Sequence, residues 1–130
     1  MLTYITTYYN EKENLWHLKE MMENCPDPRL KMIIVDDFSD ESLEEEIRGW
    51  NDSRISLYRV TEDKGFNSHG ARNLAMMQST TEWNLLVDID YRVVGIECIL
   101  DQIAHDELEA GVPHFFQVAH VYEGETTPSR

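Results

Sequence analysis

Hydrophobic and polar positions along this chain alternate between two periods. Short apolar or β-branched runs predict strands at residues 2–8, 31–35, 55–60, 83–87 and 115–122. Apolar residues at helical spacing predict helices at residues 11–24, 41–50, 70–79 and 96–108. Strands that alternate with helices of this length are typical of parallel β-α-β units, because a parallel connection needs a crossover.

The pattern therefore predicts an α/β fold, with a mostly parallel sheet of about five strands flanked by helices on both faces. Residues 1–122 are expected to form a single domain, and residues 123–130 a frayed polar tail. In such a sheet every strand-to-helix turn lies on the same edge.

Three of the predicted helices carry an apolar stripe that is expected to face the sheet. The predicted inward residues are Leu15, Leu18, Met21, Met22 and Cys25 in the first helix, Leu74, Ala75 and Met77 in the third, and Ile96, Ile99, Leu100, Ile103 and Ala104 in the fourth.

The most informative segment is Asp88-Ile89-Asp90, directly after the apolar run 83–87, which is typical of a buried strand. Two carboxylates at the carboxyl end of such a strand point into the crevice where open α/β sheets bind ligands. Like charges there are costly without a cation, and Mg²⁺ or Mn²⁺ suits carboxylate oxygens. Alternatively, the aspartates are turn residues, or Asp90 pairs locally with Arg92.

A second acidic segment, 36–40, follows the second predicted strand. Asp37 is expected to face the crevice, where its carboxylate can accept a hydrogen bond from a ring N–H of a base. The competing interpretation is that Ser39 or Asp40 caps the next helix, since both residue types are favoured at that position.

Segment 64–73 joins the third strand to the third helix and supplies cations in an acidic chain. Gly65 and Gly70 allow tight turns and a close approach to a ligand. Lys64 and Arg72 lie near a helix N-terminus, where anions are favoured, and an arginine fork suits phosphate. An ordinary loop with a surface arginine is the alternative.

The composition and net charge of the chain limit the kinds of partner that it can bind. The chain has 130 residues, 42% hydrophobic and 28% charged, with a formal net charge of −14. This charge argues against nucleic acid and against anionic membrane surfaces, since both require a basic footprint. A phosphate-bearing small molecule would need a metal ion and local cations to offset the repulsion.

Cysteine usage and hydropathy indicate a soluble cytoplasmic protein. Cys25 and Cys98 are predicted to be buried free thiols. No apolar run approaches the length of a membrane span, and the start of the chain lacks a signal peptide. The histidines show no zinc-binding spacing.

Together these segments resemble the nucleotide-sugar-binding half of GT-A fold glycosyltransferases, closest to family 2. The matching segments, in order, are Thr7-Tyr8-Tyr9-Asn10-Glu11, Ile34-Val35-Asp36-Asp37-Phe38-Ser39-Asp40, Gly70-Ala71-Arg72-Asn73-Leu74-Ala75 and Leu86-Val87-Asp88-Ile89-Asp90. The resemblance covers residues 1 to about 92 and continues loosely to residue 122. Thr7 departs from the pattern, which has proline there.

The resemblance implies a Rossmann-like nucleotide-binding core and a role for each matching residue. Thr7 and Tyr9 would contact uracil, Glu11 belongs to the same nucleotide-sugar-binding set, and Asp37 would accept a hydrogen bond from uracil N3–H. Arg72 would reach the base or the phosphates. Asp88 would meet the ribose or the metal, and Asp90 would bind Mn²⁺ or Mg²⁺ that bridges the diphosphate.

What the resemblance does not cover is an acceptor-binding half with its general base. The chain continues for 40 residues after Asp90, and no segment there matches such a base.

The first hypothesis is a metal-dependent glycosyltransferase that uses a UDP-sugar donor and an unknown acceptor. The second is a non-catalytic binding module, completed by a partner chain or a homo-oligomer. The third is a receiver-like signalling domain, suggested by Val35-Asp36-Asp37.

Overall fold

The computed structural model describes residues 1–61, 68–115, 118–122 and 125–129, with side chains described for residues 1–61 and 70–115. Within them lie the strands β1 (Leu2–Tyr8), β2 (Leu30–Asp36), β3 (Ile55–Arg59), β4 (Trp83–Leu86), β5 (Val118–Tyr122) and β6 (Glu125–Ser129). The α-helices are α1 (Trp16–Asn24), α2 (Glu44–Gly49), α3 (Ser68–Gln78) and α4 (Ile96–Ala104), and a 3-10 turn, Lys12–Asn14, precedes α1.

Four strands form one parallel sheet in the order β3-β2-β1-β4. The predicted α/β architecture, with its mostly parallel sheet, is confirmed. Because every strand runs the same way, all carboxyl ends lie on one edge of the sheet, here called the carboxyl edge. The turns that enter the strands lie on the opposite edge, here called the amino edge.

The predicted fifth strand does not join this sheet. β5 pairs with β6 in a separate antiparallel hairpin, with Val118 opposite Ser129 and Tyr122 opposite Glu125. Only two residues separate the strands, so local pairing needs no crossover helix. The frayed tail predicted from residue 123 is therefore wrong over 125–129, where Thr126 and Thr127 have good strand propensity. The domain boundary at residue 122 stays a prediction.

Helices cover both faces of the sheet, as predicted, because successive strand residues point to opposite sides. On one face, Ile5, Ile33 and Val35 pack with Ala71 and Ala75 of α3. The other face carries the larger core, to which α1, α2 and α4 all contribute. Its buried members include Leu2, Tyr4, Tyr8, Met32, Ile34, Leu18, Met22, Leu43, Ile47, Ile96, Ile99 and Leu100.

Several predicted helix boundaries are wrong for identifiable reasons. The first helix begins with a 3-10 turn, and α1 itself starts at Trp16. The second starts at Glu44 rather than residue 41, where Ser42 Oγ accepts a hydrogen bond from the Glu44 N–H at 3.2 Å and the buried Leu43 occupies the N-cap position. The fourth ends at Ala104, where a 5→1 backbone hydrogen bond from His105 to Asp101 closes it.

Some predicted burial is also wrong. Met77 is 80% exposed, whereas Ala71, Leu74 and Ala75 form the side of α3 that packs against the sheet. Ala104 and Cys98 are exposed, whereas Cys25 is buried as predicted. The run 83–87 is not a buried strand. Among the described residues β4 ends the sheet and pairs only with β1, so that Leu86 is exposed.

No helix in the described part of the chain is both long and apolar enough to cross a membrane.

Candidate functional site

The carboxyl edge of the sheet brings together the segments that follow β1, β2 and β4. Glu11 follows β1, Asp37 follows β2, and Asp88 and Asp90 follow β4. β1 lies between β2 and β4, so Asp37 and Asp90 follow strands that are two positions apart, roughly 10 Å in a sheet. The predicted site residues therefore share one edge of the molecule.

Backbone hydrogen bonds join the loops after β1 and β2 into one unit. The Asp37 N–H donates to Tyr8 O at 2.8 Å, which extends the strand ladder by one step. Next, the Asn10 N–H donates to Ser39 Oγ and the Asp40 N–H donates to Asn10 Oδ1, each at 3.0 Å. The prediction that Ser39 or Asp40 caps α2 is wrong, because α2 starts at Glu44 and Leu43 occupies its N-cap position.

The buried side chain of Asp36 stabilises this loop. Its side chain is 1% exposed, and Oδ1 accepts a hydrogen bond from the Ser39 N–H at 2.9 Å. Oδ2 lies 3.9 Å from Nε of Arg59, whose Nη2 donates to Ser39 O at 2.8 Å. The Arg59 guanidinium also lies 5.5 Å from the centre of the Phe38 ring. Asp37, 4% exposed, is the neighbouring carboxylate, and it comes after the last paired residue of β2.

Sequence reasoning missed the role of Arg59. Asp36 and Arg59 are direct partners in the parallel register of β2 and β3. A strand that ends in aspartate beside a strand that ends in arginine is a detectable pattern, but only once the two strands are known to be adjacent. The pair offsets the cost of burying Asp36 beside Asp37.

The D-x-D segment leaves the sheet with its carboxylates facing outward. The Val87 N–H donates to Ile5 O at 3.0 Å, just beyond the last paired residues of β4. Val87 and Ile89 are buried, whereas Asp88 and Asp90 are exposed. The Tyr91 N–H donates to Asp88 O at 3.0 Å and closes the turn. Both carboxylates are therefore presented on the solvent side of a turn whose apolar residues anchor it in the core.

The two carboxylates have different electrostatic surroundings. Asp88 forms an ion pair with Arg72 of α3. Arg92 pairs instead with Glu20 of α1, at 2.9 Å, so the alternative of a local Asp90–Arg92 pair is wrong. Within the described residues, no cationic side chain lies within 4.0 Å of the Asp90 carboxylate. Of the two carboxylates, Asp88 thus has a cationic partner among the described side chains and Asp90 has none.

The carboxyl group of Glu11, in the loop after β1, is influenced electrostatically by the D-x-D segment. Burial raises the pKa of its carboxyl group, and the negative charges of Asp90 and Asp88 raise the pKa further, while the hydrogen bond from Asn14 Nδ2 lowers it. The influence of both aspartates places Glu11 in the same electrostatic environment. An added cation would relieve this concentration of negative charge.

The residues present fit a hard divalent cation held partly by a ligand. Carboxylate oxygens from Asp88 and Asp90 are the ligand type that Mg²⁺ and Mn²⁺ prefer. Among the described residues, no three acidic, histidine or cysteine side chains are gathered into a complete metal site. The remaining positions of the metal would therefore fall to phosphate oxygens and water, as is usual for Mg²⁺.

The other predicted site residues lie around this edge with unequal exposure. Thr7 is half-buried near the end of β1, and Tyr9 is 43% exposed. Gly70 lies within the first turn of α3 rather than in the preceding loop. Lys64 and Gly65 lie outside the described residues.

The model of the protein family Glycosyl transferase family 2 matches residues 3–115. The chain belongs to this family. The receiver-like hypothesis is therefore wrong, as the pairing order also indicates, since the acidic pair ends β2 rather than β1. No curated protein is similar enough to match the chain.

Solved structures support the GT-A-like fold. The crystal structure of S. aureus TarS is 20% identical, with a TM-score of 0.69, over 82% of this chain and 20% of that chain. S. aureus TarS 1-349 in complex with UDP-GlcNAc is 20% identical, with a TM-score of 0.68, over 82% and 31% of the two chains. The mannosyltransferase PcManGT from Pyrobaculum calidifontis, in complex with GDP-Man and Mn²⁺, is 23% identical, with a TM-score of 0.63, over 78% and 31%.

The present chain thus spans about a fifth of TarS and about a third of the other two chains. At this identity the likeness shows the fold, and the ligands belong to those proteins.

Proposed function

We propose that this chain binds the nucleotide-sugar donor of a metal-dependent glycosyltransferase, with a UDP-sugar as the donor. The observation that carries the proposal is the shared carboxyl edge, where Asp37, Glu11, Asp88 and Asp90 follow three adjacent strands. Membership of Glycosyl transferase family 2 and the nucleotide-sugar complexes of the similar structures support it.

The loop pair after β1 and β2 is the proposed uracil site. Asp37 accepts the hydrogen bond from uracil N3–H, while Thr7 contacts the base through its backbone and Tyr9 through its ring. Asp37 suits this role because its backbone is fixed by the bond to Tyr8 O and its side chain is largely shielded from water. A hydrogen bond to a charged group in such a place is strong.

The D-x-D turn is the proposed diphosphate site. When bound, Mn²⁺ or Mg²⁺ supplies Lewis-acid stabilisation of the charge on the departing diphosphate. Asp90 holds the cation, and Asp88 contacts either the cation or the ribose. Glu11 adds negative charge beside both aspartates, which strengthens the attraction for the cation.

Arg72 changes partners in this scheme. Without donor it pairs with Asp88. With donor it turns to the phosphates or the base, which leaves the Asp88 carboxylate available on its exposed side. The exchange keeps Arg72 and Asp88 each paired with an opposite charge in both states, so that the donor and the cation bind together more readily than either binds alone.

Thermal unfolding with and without ligands tests the proposal. UDP-GlcNAc or UDP-glucose with Mn²⁺ is expected to raise the Tm by several degrees, and the same donors with EDTA are expected to leave the Tm unchanged. GDP-mannose serves as the comparison for base selectivity. No shift with any donor and Mn²⁺, for a chain that unfolds cooperatively, would contradict donor binding.

A second assay separates transfer from binding alone. Release of UDP from the donor, with water or an added sugar as acceptor, indicates a catalytic chain. Donor-dependent stabilisation without UDP release, over a panel of acceptors, favours the alternative of a binding module that a partner chain or a second copy completes.

A further inference from the structure

A buried histidine lies directly behind the D-x-D turn. His17 of α1 is 7% exposed, and its Nε2 lies 2.7 Å from the backbone oxygen of Ile89. Ile89 is the middle residue of Asp88-Ile89-Asp90, and 72 residues separate it from His17. The contact therefore joins the first helix to the centre of the proposed metal-binding turn.

The partner in this contact determines which ring nitrogen of His17 carries the hydrogen. A backbone carbonyl can only accept, so Nε2 of His17 must carry the hydrogen and donate it. A hydrogen bond shielded from water is costly to lose, because the carbonyl is left without a partner. The bond thus holds the Ile89 carbonyl toward the core, while the carboxylates on either side of it face outward.

Two more contacts from α1 hold the same turn. Glu20, one helical turn after His17, accepts a hydrogen bond from Arg92 Nη2 at 2.9 Å. The Arg92 guanidinium also lies 5.3 Å from the ring centre of Trp16. Trp16 and Glu20 are exposed or half-exposed, so His17 is the buried member of the three.

We propose that His17 is a positioning residue for metal binding, which sets the orientation of the Asp88 and Asp90 carboxylates through the Ile89 carbonyl. This inference rests on the proposed metal-dependent donor site. Only the 3-10 turn Lys12–Asn14 and Leu15 separate Glu11 from α1, so the bond also limits the separation between Glu11 and the two aspartates. Groups that orient metal ligands from behind contribute strongly to metal affinity.

The variants His17→Gln and His17→Asn distinguish positioning from mere packing. The glutamine amide nitrogen reaches the place of Nε2, whereas the asparagine amide is shorter and corresponds to Nδ1. Both variants are polar and smaller than histidine, so they disturb the core in similar ways. His105→Gln, at the exposed end of α4, is the control for loss of an imidazole.

The measurement is Mn²⁺ affinity in the presence of UDP, from the electron paramagnetic resonance signal of free Mn²⁺, with the Tm of each metal-free variant alongside. His17→Asn is expected to weaken Mn²⁺ binding roughly 10-fold. His17→Gln and His17→Asn are expected to have similar Tm values, but Gln is expected to restore most of the affinity.

Two results would overturn the inference in different ways. If wild type and both variants bind Mn²⁺ equally, His17 has no positioning role and the proposed donor site still stands. If wild type itself binds no Mn²⁺ with UDP, the proposed function and this inference fall together. If His17→Asn fails to fold, His17→Leu replaces it, since leucine fills the site but donates no hydrogen bond. Equal Mn²⁺ affinities for His17→Gln and His17→Leu would then show that His17 has no positioning role.

Discussion

Both edges of the sheet carry an aspartate followed two residues later by another charged residue, but the aspartates are paired within the segment at one edge only. At the amino edge, Asp27-Pro28-Arg29 precedes β2 and Asp52-Ser53-Arg54 precedes β3. In each segment Oδ1 of the aspartate accepts from the arginine backbone N–H and from Nε, and Oδ2 accepts from Nη2 at 2.6 Å. At the carboxyl edge, the second charged residue is Asp90 rather than an arginine.

Arg54 shows how completely the amino edge satisfies its own charges. Besides its bonds to Asp52, its guanidinium donates to Met22 O at 2.8 Å, Cys25 O at 2.6 Å and Asp27 O at 3.1 Å. Met22 and Cys25 lie at the C-terminus of α1, where carbonyl groups lack helical partners and cations are favoured. Arg54 thus satisfies the carbonyl groups at the C-terminus of α1 and also forms the ion pair with Asp52.

Among the described residues, the carboxyl edge holds more negative than positive charge. Its acidic residues include Glu11, Glu13, Asp36, Asp37, Asp40, Glu41, Asp88 and Asp90, and the cations that the structure pairs with members of this set are Lys12, Arg59 and Arg72. The amino edge thus pairs its charges within the chain, whereas the described part of the carboxyl edge has an excess of negative charge. The proposed cation, with its phosphate ligand, would reduce that excess.

Removal of Arg54 gives the largest expected effect on stability. Arg54→Met keeps the apolar stem but leaves Asp52 and the carbonyl groups of α1 without their partner, so we expect the free energy of unfolding to fall by about 3 kcal/mol. Urea unfolding measures this change. Mn²⁺ affinity with UDP is expected to stay as in wild type. A loss of Mn²⁺ affinity by the folded variant would show that the two edges are not independent.

Removal of Arg72 tests the opposite edge. Arg72→Gln takes a cation away from Asp88, so we expect Mn²⁺ without donor to bind more tightly by about 1 kcal/mol, or roughly fivefold. UDP is expected to bind more weakly, because the proposed phosphate contact is lost. Calorimetric titration of each ligand separates the two effects. Arg48→Gln, on the exposed face of α2, is the matched loss of charge and should change neither.

The smallest effect concerns Asp27. Hydrogen bonds from Arg29 hold the pKa of Asp27 at about 2, below its ordinary 3.8. A lowered pKa means that Asp27 stabilises the fold fully above about pH 4 and loses this contribution as the pH falls toward 2. Asp27→Asn should therefore lower the free energy of unfolding at pH 7 by less than about 1 kcal/mol, because the group is solvent-accessible.

The measurement for Asp27 is a pair of unfolding curves at pH 7 and pH 2. The difference between wild type and Asp27→Asn is expected to be much smaller at pH 2 than at pH 7. A difference that is the same at both values would assign the effect to packing rather than to charge.

The sequence predicts the parallel sheet and the common edge well, because both follow from local pattern. The apolar runs of β1 and β2 are unambiguous, and the glycosyltransferase-like motifs follow the strands in order. The hairpin of β5 and β6 was missed because a polar segment with threonines has the composition of a tail as well as of a strand. Its pairing depends on a partner that no local pattern identifies.

Contacts between distant segments of the candidate site were also beyond prediction. The Asp36–Arg59 pair depends on the adjacency of β2 and β3, and the hydrogen bond from His17 to Ile89 depends on how α1 packs against the D-x-D turn. His17 looks like an ordinary residue in an amphipathic helix. The exposure of Met77 has a similar origin, since it depends on how α3 packs against the sheet through Ala71, Leu74 and Ala75.

Binding of Mn²⁺ in the presence of UDP to wild type and to Asp90→Asn tests the central claim most directly. The substitution keeps the shape of the side chain and removes the carboxylate that has no cationic partner among the described residues. The account predicts saturable Mn²⁺ binding by wild type and a loss of at least tenfold in Asp90→Asn, with little change in Tm without metal. Equal Mn²⁺ affinities for the two proteins would contradict a metal site at this turn.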